Sequence, residues 1–169
     1  TAAYAVAASV VAPGLIQLGI DPLTAHFFVF YFAVVSAITP PVALASFAAA
    51  GISGANPMQT SMASFKIGLA AFIVPFMFFY NGALLMNDSI PAIAQALITA
   101  SAGVYLLSAG VQGWFMNLRT NWLVRSLLIA AAFLMIEGGG LTDLVGIATA
   151  VLAAGLQKKL GARQLAPTA

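Results

Sequence analysis

The chain has 169 residues, 62% of them hydrophobic and only 6% charged, where a soluble domain carries about 25% charged residues. Such a surface could not be wetted, and six Lys and Arg cannot line a basic groove. A water-soluble globule, a disordered chain, a coiled coil and a nucleic-acid binder are therefore excluded. The mean hydropathy of +1.04 places most of the chain in lipid, and the absence of cysteine rules out disulfides and thiolate metal sites.

Residues 1–11 carry no basic stretch before a cleavage site, so they do not read as a signal peptide. They read as the interior of a longer membrane protein, of which this chain is the C-terminal part. Turn signals then divide the chain into six apolar segments. The first, 3–18, is interrupted by Pro13-Gly14 and closed by Gly19-Ile20-Asp21-Pro22. The second, 23–52, ends before Gly54-Ala55-Asn56-Pro57. The third is 64–86. The fourth, 90–116, is capped by Asn87-Asp88-Ser89 with Pro91 at a helix start. The fifth, 121–136, stops at Gly138-Gly139-Gly140, and the sixth, 141–160, stops at Gly161 before a frayed tail, 162–169.

Threaded through a bilayer with the second segment running inward, these segments sort the charges. Lys66, Arg119, Arg125, Lys158, Lys159 and Arg163 all fall inside, and Asp21, Asp88, Glu137, Asp143 and His26 all fall outside. This satisfies the positive-inside rule and predicts a cytoplasmic C-terminus. Trp114 and Trp122 flank the Arg119 loop as interfacial anchors, Arg125 is expected to snorkel, and Lys66 is expected to open the third segment at the inner face.

Two segments do not fit a plain helix. The first is 16 residues, about 24 Å at the helical rise, and reads either as a spanning helix or as one arm of a re-entrant hairpin. The second would run about 45 Å as one helix, far beyond a 30 Å hydrocarbon core. Its middle reads Ser36-Ala37-Ile38-Thr39-Pro40-Pro41. Two successive prolines remove two donors and break the helix at membrane depth. Carbonyls freed there must face protein, water or an ion. With the hydroxyls of Ser36 and Thr39 they form an oxygen-only set suited to a small monovalent cation such as Na⁺; the alternative is a structural kink satisfied by neighbouring helices.

The runs Ala25-His26-Phe27-Phe28-Val29-Phe30-Tyr31-Phe32, Ser36-Ala37-Ile38-Thr39-Pro40-Pro41-Val42-Ala43-Leu44-Ala45 and Ala49-Ala50-Gly51-Ile52-Ser53-Gly54-Ala55-Asn56-Pro57-Met58 resemble the large membrane subunit of tripartite ATP-independent periplasmic (TRAP) transporters. The closest likeness is to fused permeases, and Ala63-Ser64-Phe65-Lys66 to Pro75-Phe76-Met77-Phe78-Phe79-Tyr80-Asn81 continues it. Residues after Asn87 resemble, more weakly, an extension appended to some fused permeases. The resemblance implies an elevator-type secondary transporter in the bacterial inner membrane, driven by sodium and supplied with a small organic acid by a periplasmic solute-binding protein. It implies that Ser36, Ala37, Thr39 and Pro40 bear or shape an ion site. Thr1, Ala2 and Tyr4 would contact substrate just after a hairpin tip supplied by upstream residues of the same permease.

The expected architecture is thus an all-α polytopic membrane protein. Residues 1–86 would hold part of the transport core: a hairpin arm at 1–19, a broken helix at 23–53 and a helix at 64–86. Residues 87–169 would add three peripheral membrane helices. No enzyme, metal site or cofactor beyond the coupling ion is expected, since neither a zinc motif nor a nucleophile motif occurs; a non-transporting assembly or anchoring module is the rival reading. His26 is assigned to anchoring, Glu137 and Asp143 to a solvated loop, Phe72 to Tyr80 to lipid or bundle packing, and Asn81 to capping.

Overall fold

The computed structural model describes residues 2–165. They are mostly helical, with one two-residue β-ladder and short irregular connections, and divide into two compact units, Thr1–Leu85 and Met86–Ala169. Three helical stretches, Pro57–Tyr80, Ile90–Gln112 and Gly140–Leu160, are long and apolar enough to cross a membrane. The protein is an all-α polytopic membrane protein.

In the first unit, α1 (Ala2–Gln17) runs through Pro13 and ends in the turn before Asp21. The Asp21 carboxylate accepts from the amides of Leu23 and Thr24 at 3.0 and 3.2 Å, and Pro22 occupies the first helical position, so α2 (Pro22–Val35) starts there. A 3₁₀ turn, Ser36–Ile38, continues α2 to the break, and α3 (Leu44–Ser53) resumes after it.

The next segment differs from expectation. It begins at Pro57, seven residues before 64, because Asn56 caps the amides of Met58 and Gln59 at 3.0 and 3.1 Å. Lys66 therefore sits in the last turn of α4 (Pro57–Ile67) and does not open a helix. A 3₁₀ stretch, Gly68–Phe72, interrupts the segment before α5 (Val74–Tyr80). Pro75 lacks the N–H that would close a bond to the Ala71 carbonyl, which accounts for the interruption. At Gly68 a Cβ would stand 2.5 Å from Ile38 Cδ1, so this interruption lies directly against the end of α2.

The Phe-rich stretch packs rather than faces lipid alone. Phe28 meets Phe79 and Phe76 at 4.8 and 5.3 Å, and Phe32 meets Phe76 at 5.9 Å, with ring planes near perpendicular. Each such pair stabilises by about 0.5–1.5 kcal/mol beyond burial, holding α5 on α2. Asn81 accepts from the Ala83 amide at 3.1 Å and so turns the chain out of α5.

In the second unit, α6 (Ile90–Gln112) ends four residues before Met116, the expected limit. Gly113 takes φ +76°, and the chain then forms a hairpin, β1 (Trp114–Phe115) and β2 (Leu118–Arg119). Its loop residues Met116 and Asn117 have φ +53° and +62°, the signs a two-residue hairpin turn requires. α7 (Trp122–Ile136) and α8 (Gly140–Leu165) follow; α8 passes through Gly161, where a stop was expected, and residues 166–169 lie outside the described residues.

α7 packs between α6 and α8 through Val124, Leu128, Ala131 and Ala132, all fully buried. Close approach depends on small residues: a Cβ at Gly110 would stand 3.2 Å from the Arg125 carbonyl and 2.8 Å from Ile129, and one at Gly103 would stand 3.2 Å from the Ala132 carbonyl.

Arg125 does not snorkel. Its Nε donates to the Gly110 carbonyl at 2.9 Å and its Nη2 to the Val111 carbonyl at 3.0 Å, closing the end of α6. Asp143 is likewise no solvated loop residue. It is 5% exposed, and one of its oxygens accepts from Gln95 Nε2 at 3.1 Å, joining α8 to α6.

Arg125→Met keeps the aliphatic stem but removes both charge-assisted bonds. It should destabilise the second unit by about 1.5–3 kcal/mol, read as a lowered melting midpoint of the detergent-solubilised protein.

Candidate functional site at the break after the second helix

In an α-helix the carbonyl of residue i bonds the amide of residue i+4, or of i+3 in a 3₁₀ turn. For Ala37 those two residues are Pro41 and Pro40, and neither has an N–H. Its carbonyl therefore has no helical donor in either geometry. The Ser36 carbonyl loses its i+4 partner to Pro40 and instead accepts from the Thr39 amide at 3.1 Å. Thr39 leaves the helix with φ −100° and ψ 117°. Its own carbonyl accepts from the Ala43 amide at 3.0 Å, so five residues close one wide turn before α3.

The two hydroxyls at the break donate backwards. Ser36 Oγ donates to the Ala33 carbonyl at 2.7 Å, and Thr39 Oγ1 to the Val35 carbonyl at 2.8 Å. Each proton is thus spent on the helix, which leaves the oxygen lone pairs as the free chemistry of these side chains. Ser36, Ala37, Thr39 and Pro40 are all half-buried.

The Pro40–Pro41 bond is cis, and Ala43, fully buried at the start of α3, holds a left-handed φ of +33°. A β-carbon in that region costs roughly 1–2 kcal/mol, strain that the surrounding packing sustains. Gly68 against Ile38 brings the α4–α5 interruption to the same level as the break. Two stretches of irregular backbone therefore meet within the first unit.

The other predicted site residues lie elsewhere. Thr1 is outside the described residues, and Ala2 is exposed. Tyr4 is half-buried, and its hydroxyl pairs with His26 Nδ1 at 2.9 Å while its ring stands edge-on to Phe30 at 5.7 Å. Phe30 precedes Ser36 by six residues, about 9 Å along α2. The Tyr4–His26 pair sits in an open apolar groove of about 330 Å³ lined also by Leu23, Phe27 and Phe30. The side chains of Tyr4 and the break are not brought into one cluster.

No spacing signal announces the Tyr4–His26 contact, since the two residues are 22 apart on different helices. Among the described residues, no three of His, Cys, Asp and Glu converge as a metal site. Any cation held at the break would rest on neutral oxygens.

The family model described as the tripartite ATP-independent periplasmic transporter, DctM component, matches residues 1–93, more than half of the chain. The chain belongs to the DctM family. Neither a curated protein nor a solved structure matches it. As a DctM chain it is a membrane-embedded component of a transporter, and the family is one of permeases rather than of enzymes. The match covers the broken helix and the aromatic packing of α5 on α2, and ends just inside α6.

Within this DctM chain, the Tyr4–His26 bond ties α1 to the helix that carries the break. A double-mutant cycle of Tyr4→Phe and His26→Phe should return a coupling of about 0.5–1.5 kcal/mol, measured by thermal unfolding in detergent.

Proposed function

We propose that this DctM chain forms part of a sodium-coupled secondary transporter that takes up a small organic acid delivered by a periplasmic solute-binding protein. The observation that carries the reading is the carbonyl of Ala37, stripped of both helical donors by Pro40 and Pro41. A bare carbonyl beside the hydroxyl oxygens of Ser36 and Thr39 suits a hard monovalent cation, which needs oxygen ligands and no carboxylate. Ala37 supplies a backbone oxygen, Ser36 and Thr39 supply hydroxyl oxygens, and Pro40 keeps the helix from closing over them.

In this reading residues 1–86 are the C-terminal part of the transport core. α1 is an arm of a re-entrant hairpin whose tip and first arm lie upstream, and residues near its start, Thr1, Ala2 and Tyr4, face substrate. The arm and the broken helix move together in an elevator-type exchange of access, with the bound ion closing the break. The remaining three-helix unit is an appended extension. The chain resides in the bacterial inner membrane with its C-terminus in the cytoplasm, a reading supported by the placement of Arg119, Arg125, Lys158, Lys159 and Arg163 along the sequence; Lys66, inside the Pro57–Tyr80 stretch, does not contribute to it.

Thr39→Val removes one oxygen and keeps the shape of the side chain. In the intact transporter it should lower sodium-dependent uptake by at least about tenfold, the effect of losing roughly 1.4 kcal/mol of ion binding, while expression and assembly persist. Uptake by vesicles bearing the variant, at wild-type rate and with wild-type sodium dependence, would reject the assignment.

The same site should also register in stability. Sodium at 100 times its dissociation constant should stabilise the wild-type protein by about 2.7 kcal/mol, and the Thr39→Val protein far less, when thermal unfolding is followed with and without sodium at constant ionic strength.

A further inference from the structure

The second unit is polarised by charge. Asp88 precedes α6, Glu137 ends α7 and Asp143 lies in the first turn of α8, all at one end. At the opposite end stands the β-hairpin with Arg119, and α8 reaches it at Gln157, the residue before the exposed Lys158 and Lys159. The link is direct: Gln157, 2% exposed, donates from Nε2 to the Arg119 carbonyl at 3.2 Å.

Arg119 is exposed and lies over the Trp114 ring, with Cζ 5.9 Å from the ring centroid. Trp114 and Arg119 are opposite partners in the two-stranded ladder, so the hairpin itself holds the stack. The contact holds the guanidinium over the indole, and among the described residues its N–H groups donate to no protein acceptor. Arg125 is occupied by the end of α6; among the residues whose side chains are described, Arg119, Lys158 and Lys159 are the cations available at this end.

Beside the hairpin lies a groove of about 260 Å³ whose wall includes Ser108, Gln112, Trp114 and Asn117. Trp114 and Trp122 are 54% and 75% exposed, as aromatic residues at a membrane–water boundary are. α6 is about 34 Å long, enough to place this end at the boundary of the hydrocarbon core.

We propose that the hairpin end of this unit is a binding site for one anionic phospholipid. The Arg119 fork takes two oxygens of the headgroup phosphate, Lys158 and Lys159 supply the surrounding positive charge, and the acyl chains descend along the apolar helices. A zwitterionic lipid offers the same phosphate but carries a compensating cation that these three residues repel. The site lies outside the break and outside the family match, and does not depend on sodium coupling.

The test is native mass spectrometry of the purified full-length permease, with phosphatidylglycerol or phosphatidylcholine of matched chains added. The wild type should retain phosphatidylglycerol in preference to phosphatidylcholine. Arg119→Gln and the double variant Lys158→Gln/Lys159→Gln should each weaken that retention, by roughly fivefold per charge removed. Arg119→Lys should recover the charge but not the two-pronged grip, and fall between. The two lysines are exposed, so the double variant tests the site even where Arg119→Gln fails to fold. Equal retention of both lipids by the wild type, or undiminished retention by the double variant, would overturn the proposal. Displacement of the lipid by millimolar inorganic phosphate would overturn it too, by showing that the site takes free phosphate.

Discussion

A backbone carbonyl in lipid has no water to turn to, and leaving it without a donor costs several kcal/mol. Pro40 and Pro41 withhold both helical donors from Ala37, because they occupy the two positions from which a helix could supply one. The surrounding structure follows from how the cost is contained. Ser36 and Thr39 direct their protons back onto the Ala33 and Val35 carbonyls, while the Thr39 carbonyl takes the Ala43 amide. What remains is a small set of oxygens with lone pairs and no uncommitted protons, at half-burial between α2 and α3. The same constraint governs the segment opposite: Pro75 opens the backbone after α4, and Gly68 lets that opening lie against Ile38.

The second unit meets the constraint with side chains instead of a break. Its helices are continuous, and three polar side chains tie its elements together, two of them by closing loose backbone carbonyls. Arg125 satisfies the last carbonyls of α6, Gln157 reaches the Arg119 carbonyl of the hairpin, and Gln95 meets the buried Asp143. Each joins two elements, and for Arg125 and Gln157 the contact that satisfies backbone carbonyls is also the tertiary contact. The glycines of α6 make this possible, since Arg125 and the helix bearing it approach to the distance that only a residue without a β-carbon permits. The charged groups that remain are sorted to the two ends of the unit, where helices emerge from a hydrocarbon core.

Membership in the DctM family sets the frame in which the break acquires meaning. A kink alone would be content with a neighbouring donor. On the proposed reading, the two stretches of irregular backbone at one level would offer a place where an ion could enter, coordinate the oxygens left without donors and leave again. The energetic scale suits that role, because the deficit is a few kcal/mol and a reversibly bound ion supplies a similar amount.

Much of this was legible in residue order. Length and hydropathy determined that the chain lives in lipid, the prolines at 40 and 41 determined where α2 must end, and Asp21-Pro22 marked where it starts, because these are effects of missing donors and local caps that act over four residues or fewer. Asn56-Pro57 carries the same kind of signal, and the helix starts there rather than at the apolar run seven residues later. Tertiary structure alone decided the rest. Arg125 could have reached water, but the α6 carbonyls came within its span; Asp143 could have been solvated, but Gln95 of another helix faced it. Tyr4 met His26, and Gly68 met Ile38, through helix packing that no spacing along the chain encodes. Local chemistry determined where the backbone opens, and only the packing of distant segments could decide what each opening and each charge would face.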